Sequence, residues 1–251
     1  LKASGGQAMI FNEDVWQQAV AIHNRIAYVP GDVYLWPNLT GGEMIDFLLK
    51  LNHQKRTAKT DELIQEFELD TKKKSRSYSK GNRQKVALIA ALSTDADLYI
   101  FDEPTSGLDP LMEEVFQKHV LALKHQGKSV LLSSHILSEV ERMCDRIGII
   151  RAGEIVETGT LDQMRQLTRT QVVVQTKQEL AGIETLAGVH AFKADEQIAN
   201  KAVFAVDTAQ IGAVMAELVK REIVTLQTTP PTLEDLFIRY YNTERTEGHE
   251  K

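Results

Sequence analysis

Two hydrophobic periods alternate along the chain, and the order in which they do so predicts its elements. Met9, Ile10 and Phe11 read as β-type, Trp16 to His23 as helical, and Arg25 to Val29 as a strand stopped by Pro30. In Leu39-Thr40-Gly41-Gly42-Glu43 the Thr and the Glu three residues on have capping-box spacing. Met44, Ile45, Phe47, Leu48 and Leu51 follow at helical period, so a helix starts there. A short amphipathic helix is expected around Leu63, Ile64, Phe67 and Leu69, and Val86 to Leu92, apolar on nearly every side, suits a buried helix. Leu98 to Phe101 and Val130 to Leu132 are short apolar strands separated by a helix from Pro110 to Gly127. Strand, helix, strand with continuous apolar strands predicts an α/β fold whose parallel sheet is covered on both faces. Ile147 to Val156, folded about Ala152-Gly153, reads as a hairpin that closes this part.

After Leu161 the pattern changes. Strand 171–175, helix 177–186, strands 189–193 and 202–206, helix 209–220 and strand 223–227 give a β-α-β-β-α-β order, that of a small α+β ferredoxin-like unit. Pro230-Pro231-Thr232 then opens a last helix through Leu233, Leu236, Phe237 and Tyr240. The expected division is therefore 1–160 and 161–251, with a helical subdomain at about 40–85.

Composition narrows the function classes. A formal net charge of -6 argues against a chain built to hold nucleic acid, and the run Lys72-Lys73-Lys74, with no aromatic residue interleaved, reads as a solvated face. Cys144, the single cysteine, cannot form an internal disulfide, which suits a reducing, cytoplasmic compartment. No window approaches the roughly 18 apolar residues of a membrane helix, so any membrane role runs through a partner. The opening Lys2-Ala3-Ser4-Gly5-Gly6-Gln7 looks like the inside of a loop, and a segment upstream of Leu1 is expected.

Three segments carry candidate chemistry. Leu98 to Phe101 runs into Asp102-Glu103-Pro104-Thr105-Ser106-Gly107-Leu108-Asp109, which places two adjacent carboxylates at the carboxyl edge of a parallel sheet, where open α/β folds bind ligands. Strand alternation points them in different directions, so one can hold Mg²⁺ while the other orients a water toward a phosphate. The alternative is a pair of capping acids in a turn. One strand later, Leu131-Leu132-Ser133-Ser134-His135 brings His135 to the same edge, within reach of a γ-phosphate or the attacking water. Tyr78-Ser79-Lys80-Gly81-Asn82-Arg83 precedes the buried helix, where free backbone N–H groups and the helix dipole favour an anion; the other reading is a Ser N-cap with exposed basic residues.

Together these segments resemble the ATP-binding subunit of an ABC transporter, over essentially the whole chain. The resemblance implies a P-loop NTPase-like cassette with a helical subdomain and a C-terminal accessory unit of the exporter (ABC-2) type. It implies that Asp102 is the magnesium-side aspartate, Glu103 the catalytic glutamate, Ser106 to Asp109 the D-loop and His135 the switch histidine. Ser79, Lys80, Gly81 and Asn82 correspond to the signature segment, and with Asp109 they are the expected nucleotide contacts. ATP and Mg²⁺ are the implied ligands. The implied partners are transmembrane permease subunits and a second cassette, in a homodimer or cassette dimer at the cytoplasmic face of the membrane. Ser4 to Gln7 spells the signature and Leu39 to Glu43 nearly does, but neither precedes a buried helix leading to Asp102, so both read as turns or caps.

The chain departs from the family pattern at three places. The P-loop, Gly-x-x-x-x-Gly-Lys followed by Ser or Thr, is spelled nowhere in the 251 residues, so this stretch alone is expected to bind ATP poorly. Truncation is the preferred explanation; a non-catalytic cassette-like module is the alternative. Lys80 and Asn82 replace the usual Gly and Gln of the signature. Gly31 stands where a Gln is expected, with Asp32 beside it as a substitute oxygen donor to the metal or as a surface turn.

Overall fold

A computed structural model describes residues 3–166, 169–230 and 232–234. The chain divides into two compact units, Leu1–Met143 and Cys144–Lys251. The hairpin that the hydrophobic pattern assigned to the first part thus groups with the second.

The first unit opens with a two-residue pairing of β1 (Met9–Ile10) and β2 (Glu13–Asp14), then α1 (Ala19–His23) and β3 (Ile26–Val29). Helix α1 begins later than its apolar pattern suggests, because Asp14 Oδ1 accepts from the N–H groups of Trp16 and Gln17, each at 2.9 Å, and holds that stretch as a turn. Helix α2 (Gly41–Leu51) starts at the expected capping box: Thr40 Oγ1 accepts from Glu43 N–H, and Glu43 Oε2 accepts from Thr40 N–H at 2.7 Å. Then come α3 (Ala58–Glu66), α4 (Lys80–Ser93), β4 (Leu98–Asp102), α5 (Pro110–His125), β5 (Ser129–Ser133) and α6 (Leu137–Met143).

The sheet is parallel, in the order β3-β4-β5, with Val29 opposite Phe101 and Asp102 opposite Ser133. Its alternation is sharp: Ala27, Val29, Tyr99 and Phe101 are buried, and Phe101 meets Phe116 of α5 edge-on at 5.2 Å. Such a pair adds about 0.5–1.5 kcal/mol to the area it buries. The expectation of a sheet covered on both faces is corrected. Among the described residues one face is covered, and on the other Tyr28 and Leu131 remain 58% and 60% exposed. An apolar run of four or five residues reads the same whether one face is covered or two, so the pattern could not separate them. Tyr99 fixes the entry to β4, its hydroxyl donating to Thr94 O at 2.6 Å and accepting from Ala96 N–H at 3.3 Å.

In the second unit β6 (Arg146–Arg151) and β7 (Glu154–Thr160) pair about Ala152-Gly153, both at positive φ, as a two-residue hairpin of that twist requires. Next come α7 (Leu161–Gln166), β8 (Arg169–Thr176), β9 (Val189–Ala194), β10 (Lys201–Asp207), α8 (Ile211–Lys220) and β11 (Ile223–Thr229). The sheet is antiparallel in the order β11-β8-β10-β9, the ferredoxin-like arrangement. Val172, Val174, Ala202, Phe204, Val206, Val214 and Leu218 form its core. The helix expected at 177–186 is instead a single 3₁₀ turn, Ile183–Thr185, because Gly182 adopts φ +85°, a left-handed conformation that no α-helix continues through. Of the last helix, Leu233 and Glu234 are helical; Leu236, Phe237 and Tyr240 lie outside the described residues.

Candidate functional site

All the loops named as candidates belong to the first unit, so the site can be built there from its backbone outward. Strand β4 ends at Asp102 and β5 at Ser133, paired in register, and Ser133 Oγ donates to Asp102 Oδ1 at 2.5 Å. The next residue, Glu103, has φ +46°, a conformation that costs a non-glycine residue about 1–3 kcal/mol unless its surroundings enforce it. Here they do, because Glu103 N–H donates to both Ser133 O and Ser133 Oγ at 3.1 Å. The turn so made throws the Glu103 side chain away from Asp102 and onto His135, whose Nδ1 lies 2.5 Å from Glu103 Oε2. His135 is 74% exposed and Glu103 34%, so the pair faces solvent with one edge of the carboxylate covered. The structure therefore brings Asp102, Glu103 and His135 to one sheet edge, with Asp102 on Ser133 and Glu103 on His135.

The loop after Glu103 closes on the buried helix. Gly107 (φ +85°) packs against the start of α4 so tightly that a Cβ on Gly81 would stand 2.2 Å from Gly107 O. Ser79 caps α4, its Oγ accepting from Asn82 N–H at 3.3 Å. Lys80 does not stand free: its ammonium donates to Ser106 Oγ at 2.7 Å and lies 4.0 Å from Asp32 Oδ1. Tyr78 is buried and donates to Asp70 O at 2.7 Å, and burial pushes its phenol pKa up. Its hydroxyl takes the space where a Cβ on Gly41 would stand, 2.1 Å away, which ties α2 to the segment before α4. Asp109 caps α5, Oδ1 accepting from Met112 N–H at 3.1 Å.

Gly31 sits beside Asp102, since a Cβ there would lie 3.5 Å from Asp102 Oδ2. Asp32 is exposed, and its nearest charged partner is the Lys80 ammonium. Among the described residues no three His, Cys, Asp or Glu side chains converge as a metal-holding group, so a cation here would be held by one or two carboxylates. A hard, solvent-reachable carboxylate such as Asp102 fits Mg²⁺, which characteristically keeps waters or substrate phosphates as its other ligands.

Two features escaped the reading of the chain. Ala122 to Ser129 comes within one residue of spelling the P-loop, but it runs from the end of α5 into β5, the reverse of strand, loop, helix; Lys128 there pairs with Asp95 at 2.8 Å. Glu139 of α6 is 3% exposed, and its Oε2 accepts from Thr105 Oγ1 at 3.0 Å and Ser134 Oγ at 3.3 Å. Burial pushes its pKa above the ordinary carboxylate range, the Thr105 hydrogen bond opposing it. The signal was present, since Val140 and Met143 bury the same helix stripe on which Glu139 falls. Ser4 to Gln7 lies exposed ahead of β1 and Thr40 to Glu43 caps α2, as turns and caps would.

Comparison with known proteins points to one family. Residues 1–106 match the ABC transporter family. An uncharacterised ABC transporter ATP-binding protein of Synechocystis is 31% identical over 95% of this chain and 68% of its own length. A daunorubicin resistance ATP-binding protein of Streptomyces coeruleorubidus is 31% identical over 74% of this chain and 61% of its own. A solved ATP-binding subunit of an ABC transporter superposes with a TM-score of 0.59 at 30% identity, over 65% of this chain and 70% of that one. The chain thus spans roughly two thirds of the length of each.

Proposed function

The chain belongs to the ABC transporter ATP-binding proteins, and from that premise we propose that it is the ATP-hydrolysing subunit that powers export through a separate membrane permease. The observation that carries the reading is the pairing of Glu103 with His135 beside Asp102 at the edge of a parallel sheet. In this reading Glu103 orients the attacking water and takes its proton, and His135 holds the Glu103 carboxylate toward the γ-phosphate. Asp102, steadied by Ser133, would hold Mg²⁺, which would supply positive charge against the phosphate oxygens. Ser79, Lys80, Gly81 and Asn82 offer an ATP molecule held by a second copy of the cassette the N-terminus of α4, Asp109 is a further nucleotide contact, and Asp32 is a secondary metal-side donor.

Two copies so arranged close on ATP and open after hydrolysis, and the helical segment at about 40–78 passes the motion to the permease. No described helix is long and apolar enough to cross a membrane. The relative named for daunorubicin resistance supports export, and the cytoplasmic face of the membrane is the site of action in this reading. Residues 1–160 would form the cassette and 161–251 its accessory domain. A P-loop absent from these 251 residues is the one observation favouring a non-catalytic module. The product of the complete gene separates the two. The hydrolysis reading predicts ATP turnover that Glu103→Gln lowers by about 10²–10⁴-fold, the range of general base catalysis; absence of both binding and turnover, with permease supplied, selects the module.

A further inference from the structure

We propose that Glu139 is a positioning residue that locks the loop carrying Glu103 to the loop carrying His135, an inference that rests on the hydrolysis reading above. Its carboxylate lies inside the protein, yet among the described residues no cation pairs with it; Oε2 takes both hydroxyl donors and Oε1 has no polar partner there. Burying a carboxyl group on these terms is costly, so its retention on an apolar helix stripe calls for a role. The two donors supply one. Thr105 is two residues beyond Glu103, and Ser134 is one residue before His135, so a single carboxylate spans the two segments that must converge.

The segments need such a clamp. Glu103 is held at positive φ, and a conformation of that kind persists only where neighbours over-determine it. The bonds from Glu103 N–H to Ser133 tie the loop's first residue to β5, and Ser106 N–H to Glu103 O at 3.1 Å and Leu108 N–H to Thr105 O at 2.9 Å fix its curl; the Glu139 bond to Thr105 adds a second tie two residues on. On the other side Ser134 Oγ accepts from Ile136 N–H at 3.0 Å while donating to Glu139, which sets where His135 leaves the strand. Glu139 touches neither the nucleotide-facing groups nor Asp102. Its bonds to Thr105 and Ser134 act on hydrolysis by placing Glu103 against His135.

The test uses the product of the complete gene in two arms. In the first, hydrogen exchange without nucleotide is compared for Glu139→Ala, Thr105→Val and Glu139→Gln. The first two are expected to speed exchange at 103–108 and at 136 while α4 stays protected, and Glu139→Gln, which keeps an acceptor for both hydroxyls, is expected to preserve the native pattern. In the second arm, steady-state ATP hydrolysis is expected to lose kcat about 100-fold in Glu139→Ala and about 10-fold in Thr105→Val, since misplacing a reacting group by an ångström costs on that scale. KM stays within about twofold, and Glu139→Gln stays within about threefold of wild type. Unchanged exchange in the loops, unchanged kcat, or losses of α4 protection that parallel the loss of activity would each overturn the proposal. A wild-type protein that neither binds nor turns over ATP would instead overturn the hydrolysis reading, and this inference with it.

Discussion

In the first unit three parallel strands run side by side, and the side chains at the end of β4 and the start of α4 are polar, partly exposed and paired: Asp102 on Ser133, Glu103 on His135, Lys80 on Ser106. In the second, four antiparallel strands and α8 enclose Val172, Val174, Phe204 and Leu218, and its polar side chains pair on the outside, as His190 and Arg169 do with Asp207. The difference lies in where conformational cost is placed. The second unit concentrates its stability in a core and leaves its polar pairs where water screens them. Both units hold non-glycine residues at positive φ, Ala152, Ala191, Asn200 and Glu222 in the second; what the first adds beside Glu103 is a buried carboxyl group and a backbone contact that only glycine permits. Costs of this kind gather where geometry has a task.

Three perturbations sharpen the contrast. The largest is expected in the second unit, where Phe204→Ala removes a buried ring and should lower stability by about 3–5 kcal/mol, read as an earlier thermal or denaturant transition for that unit. Next, Gly81→Ala sets a methyl group against Gly107 O and should cost roughly 1–3 kcal/mol of overpacking in the first unit, with a disproportionate loss of ATP turnover because α4 and the Ser106 loop move apart. Equal losses of turnover and stability there would break the argument that this contact serves the site.

The smallest effect is electrostatic. Hydrogen bonds from His190 and then Arg169 hold the Asp207 carboxyl below the ordinary aspartate range. A lowered pKa in the folded state adds stability that is full above the ordinary range and is lost as pH falls through the lowered value. Acid titration of the unfolding midpoint should therefore show a small, salt-weakened step that Asp207→Asn removes.

Much of the fold was legible because period and punctuation agreed. The Thr40 capping box, the all-round apolar run before Asp102 and the Ala152-Gly153 turn each specify one local answer, and each is what the structure holds. The failures have physical reasons. Nothing in Lys177 to Leu186 announces that Gly182 takes a left-handed φ, and helical spacing carried the expectation past it. The open face of the parallel sheet is invisible in an apolar run. Of the site, the placement of Asp102 and His135 followed from where their strands end. The side-chain partners did not, because Lys80 to Ser106 and Glu139 to Thr105 join residues 26 and 34 positions apart, beyond the reach of any local pattern. Gly31 beside Asp102 is a contact of the same kind.

The central claim is that one copy's sheet edge and another copy's α4 N-terminus hold a nucleotide between them. Sedimentation of the complete gene's product carrying Glu103→Gln, with and without ATP and Mg²⁺, tests it most directly. The account predicts a monomer without nucleotide and a stable dimer with it, lost again when Ser79→Arg crowds the N-terminus of α4. A protein that stays monomeric with bound ATP, or dimerises regardless of nucleotide and of Ser79, would contradict it.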